Sequence, residues 1–477
     1  MSSQSNWNQI KEWDEKYLLH PFVTAEEYNW CPVESTEGDY LVMPDGTKLL
    51  DMFNQLYCVN SGQKVPEIQE AIKEALDRYG FVWDIYATDY KAEAAKILVE
   101  DILGEEGWAG KVRFTNTGGE SVEVATIIAR LFTGKEFIAT REHSYHGITG
   151  TAVGLNRVLA GRSHISRESD QLVKQVPGQG YGATIKCPAP HCYRCSIGHT
   201  YPACKSALPE GKLPCVHTAE QFIKNHGVDQ VAAMITEPAF GAATIIPPME
   251  YLPQIYEMTR RLGILWIVDE VLMGFGRLGT WFGYQKMGGG KVKPDIITVA
   301  KGLTSSSIGA GAVIVNKEIA EFMDSVRWNH VSTFVGHPIA MAAAVANLKY
   351  LKKHKIPEKA AEKGEYFGAR LRELQDKHKC IGLVAGAGMF WQVELVKNKK
   401  TNEPFNKDDR NTAFADNPGE KPIALILNKC LEKGVLLGGF LPNTLRIGGS
   451  LTISKEDMDK AIEALDYALS TLDQRCD

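Results

Sequence analysis

The spacing of hydrophobic and polar positions changes along the chain, and this change predicts its elements. Between about residues 66 and 345, short apolar runs alternate with segments whose apolar positions recur every three to four residues. The predicted strands are residues 111–115, 137–140, 231–236, 264–268, 296–300 and 312–315. The helical segments between them include residues 121–132, 218–225 and 248–262. This alternation favours an α/β fold with a mainly parallel sheet covered by helices.

The two ends of the chain have different patterns. Residues 1–65 predict a helix and then short strands, with a turn at Pro44-Asp45-Gly46. Towards the other end, the pattern predicts helices over 340–353 and 358–378, a strand over 389–396, an exposed polar loop over 397–421 and a terminal helix from Ser454. We therefore predict an N-terminal segment (1–65) that packs with a small domain, a large domain (66–345) and the smaller α+β domain itself (346–477).

Composition excludes several classes of function. Of the 477 residues, 44% are hydrophobic and 23% charged, and the net charge of -5 does not indicate a nucleic-acid surface. The apolar runs are far shorter than the ~20 residues that a membrane-spanning helix needs, and the first residues lack a secretory pattern. We expect a cytoplasmic protein that binds neither membranes nor nucleic acid. In such a protein the ten cysteines are expected to be reduced thiols.

A lysine stands at the carboxyl end of one predicted strand. The segment from Pro294 to Gly302 has the pattern of a buried strand that ends at Lys301. Open α/β sheets bind ligands at the carboxyl ends of their strands, and a buried amine there can attack an aldehyde cofactor. A lysine that only extends its charged end into solvent is the structural alternative.

A carboxylate follows a second strand in the same way. The apolar run over 263–268 leads directly into Asp269-Glu270. Asp269 and Lys301 would then lie at the same edge of one sheet, where a carboxylate can keep the ring nitrogen of pyridoxal phosphate protonated. A carboxylate that only caps the next turn is the alternative.

A glycine turn between a strand and a helix is suited to hold a phosphate. The strand that ends at Thr115 is followed by Asn116, Thr117, Gly118, Gly119 and Glu120, and Thr117 and Glu120 have the spacing of a capping box. Free backbone N–H groups and the helix dipole favour an anion at such a helix N-terminus. An ordinary capped helix has the same pattern.

Together with other segments, these residues resemble the class III aminotransferases. The resemblance covers roughly residues 15–470 and rests on seven motifs in the family's order and spacing. They are Asn116-Thr117-Gly118-Gly119-Glu120, Ser144-Tyr145-His146-Gly147, Thr236-Glu237-Pro238, Asp269-Glu270-Val271 with Gly274-Phe275-Gly276-Arg277, Ala300-Lys301-Gly302-Leu303, Ser332-Thr333-Phe334 with Gly336-His337-Pro338, and Leu445-Arg446-Ile447. Each motif is weakly specific alone, but seven in order make a specific pattern.

The resemblance implies a homodimer or tetramer of the pyridoxal-phosphate-dependent fold type I. Its large domain would contain a mainly parallel seven-stranded sheet, beside a smaller α+β domain. Lys301 would be the covalent attachment point of the cofactor and the catalytic base, and Asp269 would bind the pyridine nitrogen. The other cofactor contacts would be Thr117, Gly118, Gly119, Tyr145, Val271 and Thr333 of the partner subunit. His146 has no role in this scheme and is expected to be structural.

The same resemblance implies how substrates bind. Glu237 and Arg446 resemble the family's switch pair, in which Arg446 binds the carboxylate of a 2-oxo acid and Glu237 neutralises it otherwise. Tyr57 stands where ω-amino acid relatives contact the substrate. A permanent salt bridge is the structural alternative for the pair, and a core aromatic is the alternative for Tyr57.

A cysteine-rich stretch indicates the branch of the family. The segment from Cys187 to Cys204 resembles an insertion in taurine- and β-alanine-type aminotransferases. We therefore expect ping-pong transfer from an ω-amino acid such as taurine, β-alanine or 4-aminobutyrate to 2-oxoglutarate or pyruvate. Arg162 is a candidate for binding the donor's acid group.

Two departures from the family pattern lie near these residues. Many relatives have Gln at the position of Leu272, where it contacts the ring hydroxyl of the cofactor. Relatives also have Pro-Pro where this chain has Gly448-Gly449, which changes the backbone that follows Arg446.

Three other interpretations fit single segments. Cys192 and Cys195 with neighbouring Cys and His residues could bind zinc, but only one ligand pair has the usual spacing, so we predict no metal. Residues 274–279 fit the dinucleotide glycine pattern but lack a helix start after it. An amino-acid racemase or epimerase that uses pyridoxal phosphate on the same fold would need the same lysine and acid, and it is the alternative function.

Overall fold

The computed structural model describes residues 6–21, 25–26, 28–156, 183–406 and 421–477. Arg162 and residues 407–420 of the polar stretch lie outside these ranges. The strands, numbered in chain order, are β1 (Ser35–Glu37), β2 (Tyr40–Val42), β3 (Lys48–Asp51), β4 (Ala109–Thr115), β5 (Phe137–Arg141), β6 (Thr184–Cys187), β7 (Val231–Thr236), β8 (Leu265–Asp269), β9 (Ile296–Val299), β10 (Gly311–Asn316), β11 (Ile381–Ala387), β12 (Phe390–Leu395), β13 (Val435–Leu436), β14 (Gly438–Leu441) and β15 (Thr444–Ile447).

Helices occur before, between and after these strands. The α-helices are Trp7–Tyr17, Pro66–Arg78, Asp89–Lys96, Gly118–Thr133, Gly150–Leu155, Pro214–His226, Tyr251–Leu262, Gly283–Met287, Lys317–Ser325, Pro338–Lys353, Ile356–Lys377, Pro422–Leu431 and Lys455–Asp473. A π-helical turn, Ile97–Ile102, extends one of them, and 3-10 turns lie at Cys192–Arg194, Ala203–Ser206, Pro209–Gly211, Val228–Gln230 and Lys301–Leu303.

The central sheet has seven strands in the order β4-β10-β9-β8-β7-β5-β6. Strand β10 is antiparallel to both of its neighbours, and the other pairs are parallel. Every residue of β7, β8 and β9 is buried, as expected for a parallel sheet that lies in the core. The predicted α/β fold with a mainly parallel seven-stranded sheet is confirmed. Sequence patterns identified six of its strands and missed β6.

A second, antiparallel sheet forms the smaller domain, in the order β11-β12-β15-β14. Ile356–Lys377 packs against β11 and Pro422–Leu431 against β14, and Lys455–Asp473 packs against both of these helices. A third sheet, β1-β2-β3-β13, joins the two ends of the chain, because β13 pairs in parallel with β3. The domain boundaries at residues 65 and 345 stay predictions.

The polar stretch over 397–421 differs in part from the predicted exposed loop. Phe405 and Asn406 are buried. Asn406 donates its N–H to Asn443 Oδ1 at 3.0 Å, and the Asn443 amide donates to the Asn406 carbonyl at 2.8 Å. The prediction was wrong for these two residues because an asparagine side chain can replace water as the partner of a buried backbone.

The helices differ widely in burial. Pro338–Lys353 buries ten of its residues and packs against Pro66–Arg78, whereas Trp7–Tyr17 buries none. Across the described ranges, no helix is both long enough and apolar enough to span a bilayer.

Candidate active site

A cavity opens at the carboxyl edge of the central sheet, where β7, β8 and β9 end next to each other. Its volume is about 290 Å³, near the lower limit of the ~300–1,000 Å³ that is typical of ligand pockets. Eight predicted site residues line it, namely Gly118, Gly119, Tyr145, Glu237, Asp269, Val271, Lys301 and Arg446. The sequence did not single out Leu56, Gly241 and Met273, which line it too.

Lys301 follows β9 and begins a short 3-10 turn. Its φ of 41° is in the left-handed region, which is uncommon for a residue with a side chain. Burial lowers the pKa of its amine from 10.5 to about 8, and the charge of Arg446 acts in the same direction. Cys58, Asp269 and Glu237 oppose this shift. An amine with a pKa near neutrality has a substantial neutral fraction and can act as a nucleophile or a base.

Asp269 ends β8 and is held by three groups. Its Oδ1 accepts hydrogen bonds from the Val271 N–H at 3.0 Å and from the Thr298 hydroxyl at 3.3 Å. Its Oδ2 lies 2.6 Å from Nδ1 of His146. The side chain is only 4% exposed but forms part of the cavity wall. A carboxylate with this fixed orientation suits the protonated ring nitrogen of pyridoxal phosphate.

His146 is a functional candidate that sequence reasoning missed. It was expected to be structural, but it lines the cavity and orients Asp269. Its backbone N–H donates to Asn156 Oδ1 at 2.5 Å, and its Nε2 has no hydrogen-bond partner among the described residues. Position 146 is 123 residues from Asp269, so no local pattern connects the two. The motif around Tyr145 is the one feature that could have directed attention to it.

The turn before the helix Gly118–Thr133 has the features of an anion site. Thr117 caps the helix, because its hydroxyl accepts from the Glu120 N–H at 3.2 Å. The Glu120 carboxylate accepts from the N–H of Asn116 at 2.7 Å, one residue earlier than in the predicted capping box. The first N–H groups of a helix have no intrahelical acceptors, so those of Gly118 and Gly119 suit a phosphate.

Two glycines at this end of the cavity, Gly118 of the turn and Gly147, leave no space for side chains. A Cβ on Gly118 would lie 2.7 Å from Cγ1 of Val271, and a Cβ on Gly147 would lie 2.7 Å from Cα of Gly119. Backbone is therefore exposed on the cavity wall where a phosphate and a flat ring need close approach. The glycine turn, the oriented carboxylate and the lysine with a lowered pKa together fit pyridoxal phosphate.

Arg446 and Glu237 both form hydrogen bonds with the backbone of Gly241. Arg446 Nη1 donates to the Gly241 carbonyl at 2.6 Å, and Glu237 Oε2 accepts from the Gly241 N–H at 2.7 Å. The other Glu237 oxygen, Oε1, accepts from the Tyr145 N–H at 3.3 Å. Burial lowers the pKa of Arg446 and raises that of Glu237. The cavity wall therefore contains a guanidinium and a carboxylate that bind the same residue, Gly241.

Tyr57 lies behind the cavity wall rather than in it. Its side chain is fully buried, with the Arg446 guanidinium 4.5 Å from the ring centroid and Phe390 packed against it at 5.6 Å. The adjacent Leu56 lines the cavity instead. A substrate contact by Tyr57 stays a prediction, and the observed position is that of a support for Arg446.

Thr117 and Thr333 are exposed and do not line the cavity of a single chain. Thr333 precedes the helix Pro338–Lys353, and its neighbour Ser332 accepts a hydrogen bond from the Asn116 amide at 3.0 Å. The expected phosphate contact by Thr333 of the partner subunit stays a prediction.

The segments that suggested a zinc site and a dinucleotide motif have other structures. Cys192, Cys195 and Cys204 line a second, small cavity as free thiols, and burial raises the pKa of Cys192 to about 12. Within the parts of the chain that the structure describes, no group of three or more His, Cys, Asp or Glu residues is arranged to hold a metal ion. Residues 274–279 form successive turns, and the helix that a dinucleotide motif requires does not begin there.

Comparisons with known proteins extend these observations. The model of the family described as Aminotransferase class-III matches residues 23–469. The chain is 31% identical to the putrescine–pyruvate aminotransferase of Pseudomonas aeruginosa, over 99% of this chain and 98% of that protein. An S-selective transaminase structure from Bacillus megaterium is 51% identical with a TM-score of 0.90, over 98% of this chain and 99% of that one.

A third relative is known with its cofactor. The taurine:2-oxoglutarate aminotransferase from Bifidobacterium kashiwanohense, solved in complex with pyridoxal phosphate and glutamate, is 28% identical with a TM-score of 0.88, over 99% of both chains. These matches favour amino transfer over the racemase alternative. The chain belongs to the class III aminotransferases, which are pyridoxal-phosphate-dependent enzymes of fold type I.

Proposed function

We propose that the protein transfers the amino group of an ω-amino acid to a 2-oxo acid in a ping-pong cycle. The donor would be of the taurine, β-alanine or 4-aminobutyrate type, and the acceptor would be pyruvate or 2-oxoglutarate. The observation that carries the proposal is that Arg446 lines the same cavity as Lys301. A 2-oxo acid has a carboxylate next to its carbonyl, so a guanidinium can bind the acid group in a bidentate fork while the carbonyl carbon lies towards the lysine.

Seven residues of the chain would contact the cofactor. When bound, pyridoxal phosphate carries the amino group between substrates and withdraws electrons from the reacting carbon. Asp269 would pair with the ring nitrogen, Tyr145 and Val271 would flank the ring, and Lys301 would be the attachment point. The N–H groups of Gly118 and Gly119, with Thr117 beside them, would bind the phosphate.

Lys301 would also move the proton. Its neutral Nζ can remove a proton from the carbon that bears the donor's amine and return one to the acceptor carbon that becomes aminated. The lowered pKa supports this role, because a lysine with its ordinary pKa of 10.5 is almost fully protonated near neutral pH. The position inside the cavity supports it as well, since partial exclusion of water protects the transfer.

Glu237 would let one cavity accept substrates with and without an α-carboxylate. Glu237 binds the N–H of Gly241 and Arg446 binds its carbonyl, and the Glu237 charge acts on the guanidinium, partly opposing the fall in the pKa of Arg446 that burial causes. An acceptor carboxylate would take over this compensation when it binds Arg446. A donor such as taurine or 4-aminobutyrate would bind with the pair undisturbed.

We further propose that two chains associate through the surface near Thr333. Phe81 and Phe334 pack together with ring centroids 5.9 Å apart, yet both are at least half exposed, and Val331 beside them is 75% exposed. Apolar groups clustered in this way are typical of subunit interfaces. Light scattering after size-exclusion chromatography should give twice the chain mass of 52.7 kDa. A monomer that is fully active would contradict the association.

The printed names of the relatives support this substrate class. One is called a putrescine–pyruvate aminotransferase, and another is called a taurine:2-oxoglutarate aminotransferase. Both named donors have a terminal amine on an unbranched carbon. A further relative is described as S-selective, so the donor tests should include both enantiomers of a chiral primary amine.

A donor and acceptor screen on the purified, cofactor-loaded protein tests the proposal. Taurine, β-alanine, 4-aminobutyrate, putrescine and both enantiomers of 1-phenylethylamine are each combined with pyruvate and with 2-oxoglutarate, and the aminated acceptor is quantified. We expect product with at least one ω-amino acid, parallel double-reciprocal plots, and poorer turnover when propanal replaces pyruvate. No transfer to either 2-oxo acid would refute the proposal, and inversion of an amino acid without any acceptor would support the racemase instead.

A further inference from the structure

Arg277 is a buried cation that has no role in the proposed function. It follows the turn Gly274-Phe275-Gly276 and its side chain is fully buried. It is not among the residues that line the cavity. Burial lowers the pKa of its guanidinium to about 10. Because burying a charge is unfavourable unless the group is well hydrogen-bonded, its partners indicate what it does.

The partners of Arg277 are neutral oxygens from distant parts of the chain. Its Nη1 donates to the carbonyls of Met389 at 3.2 Å and Gly449 at 2.6 Å. Its Nη2 donates to the side-chain oxygens of Asn54 at 2.8 Å and Asn60 at 2.9 Å. None of these four groups is charged, so the hydrogen bonds hold chain segments together rather than neutralise the arginine.

The first segment held in this way is the turn Asn54–Tyr57. Its four residues have φ values of 49°, 47°, 66° and 58°, which make one left-handed turn without glycine. Such a conformation is strained for residues that carry a Cβ, so it requires support from elsewhere. Leu56 of this turn lines the cavity, and the Tyr57 ring packs under the guanidinium of Arg446.

The other two acceptors lie near Arg446, on the two chain segments that pair there. Met389 immediately precedes β12, and β12 pairs with β15 so that Gln392 is opposite Arg446. Gly449 follows Arg446 by three positions. A Cβ on the intervening Gly448 would lie 2.1 Å from the Met389 carbonyl, so the two chain segments touch here. Arg277 thus links both strands at the point where Arg446 enters the cavity wall.

We propose that Arg277 is a positioning residue for the acid half of the reaction. It fixes Arg446 and the turn Asn54–Tyr57 relative to each other, and recognition of the acceptor carboxylate depends on that geometry. The inference rests on the proposed function, because it presumes that Arg446 binds a 2-oxo acid. We expect the chemistry at Lys301 and Asp269 to depend less on Arg277, since those two residues lie at the ends of adjacent strands of the central sheet.

The first test replaces Arg277 with lysine. Lysine keeps the charge but presents its donors from one point, so it cannot serve both the Asn54–Asn60 pair and the two carbonyls. For R277K we expect kcat/KM for pyruvate to fall roughly 10- to 100-fold, the loss that a misplacement of about 1 Å can produce. Turnover of propanal, an acceptor without a carboxylate, should stay within about threefold of wild type, and inhibition by propionate should weaken in parallel with pyruvate.

A double-mutant cycle separates positioning from a structural effect. If Arg277 acts through Arg446, R277K should not change the pyruvate-to-propanal ratio further in the R446M background. The exposed R261K substitution is the matched control and should change neither acceptor. An equal loss with pyruvate and propanal, or an undiminished effect of R277K in the R446M background, would overturn the inference. A wild-type enzyme that does not aminate pyruvate or 2-oxoglutarate would instead refute the proposed function.

A milder variant covers the case in which R277K does not fold. Asn54→Gly removes one acceptor of Arg277, while glycine tolerates the positive φ at that position. We expect a smaller change in the same direction, about three- to tenfold on pyruvate, which is the size of the net contribution of a typical single hydrogen bond. An N54G protein that uses both acceptors like wild type would contradict the inference.

Discussion

The two sides of the cavity are built in different ways. On the cofactor side, Asp269 ends β8 and Lys301 follows β9, so two adjacent strands of one sheet place both groups. The opposite side, where we propose that the acid binds and which we call the acid side, includes Arg446 on a strand of the small domain, Leu56 on a left-handed turn near the N-terminus, and Gly241 on a loop after β7. The geometry of the cofactor side depends on the central sheet alone. The geometry of the acid side depends on how three segments that are distant in the sequence pack together.

This difference indicates how the enzyme can change its substrate without losing its chemistry. Substitutions near the acid side would shift the position of Arg446 and Leu56 while the sheet still presents Lys301 and Asp269. Substitutions on the cofactor side would affect every substrate equally. The two sides therefore predict different kinetic behaviour, which can be measured.

The largest effect is expected for Lys301→Ala. Loss of the amine removes the attachment point and the base, so kcat should fall about 10⁴-fold for every donor and acceptor. The measurement is the rate of amino transfer, together with the absorbance of the attached cofactor. Far-UV circular dichroism and the melting temperature should show that the variant is folded. Turnover above a tenth of wild type would show that another residue performs these roles.

Arg446→Met should produce a large effect on acids only. We expect kcat/KM for pyruvate to fall roughly 100-fold or more, because a buried charged contact to the substrate is lost. Propanal should be used about as well as by wild type. Steady-state values of kcat/KM for the two acceptors show whether Arg446 recognises the carboxylate. An equal loss with both acceptors would indicate that Arg446 acts with the cofactor rather than on the acceptor carboxylate.

His146→Phe should lower all reactions alike. Without Nδ1 the Asp269 carboxylate loses a hydrogen bond of 2.6 Å, and a loss of roughly tenfold in kcat corresponds to about 1.4 kcal/mol for such a bond. His146→Asn retains a donor near the same place and should recover part of the activity. Donor and acceptor half-reactions measured by rapid mixing should decrease equally. An effect restricted to the acid acceptor would contradict the assignment of His146 to the cofactor side.

The smallest effect concerns pH. Burial lowers the pKa of Lys301 to about 8, so the neutral fraction of the amine should rise about fivefold between pH 7 and pH 8. The rate at which protein freed of cofactor captures pyridoxal phosphate, followed by absorbance, should rise accordingly and level off above pH 9. A rate that keeps rising to pH 10.5 would indicate an unshifted lysine.

The same pKa shift predicts a stability trend in protein without cofactor. Between pH 8 and 10.5 the folded chain would bind fewer protons at Lys301 than the unfolded chain does. The destabilisation from burying the charged amine is complete below pH 8 and is relieved as the pH rises through this window. Lys301→Met should remove that dependence from the unfolding midpoint in urea.

Sequence reasoning predicted which residues lie at the carboxyl edge of the sheet, because that information is local. An apolar run followed at once by Asp269 or Lys301 fixes the edge of the sheet on which the side chain lies. The cap at Thr117 was found for the same reason, although Glu120 bonds to Asn116 rather than to Thr117. His146 was missed because its partner is far away in the chain.

The sequence by itself determined the family, the α/β sheet and the residues that follow its strands, since these depend on period and order along the chain. Tertiary structure alone decided that His146 holds Asp269, that Leu56 rather than Tyr57 lines the cavity, and that Arg277 lies beside the strand of Arg446. The physical reason is that a buried polar group takes hydrogen-bond partners from any segment that packing brings near, and spacing along the chain does not encode those contacts.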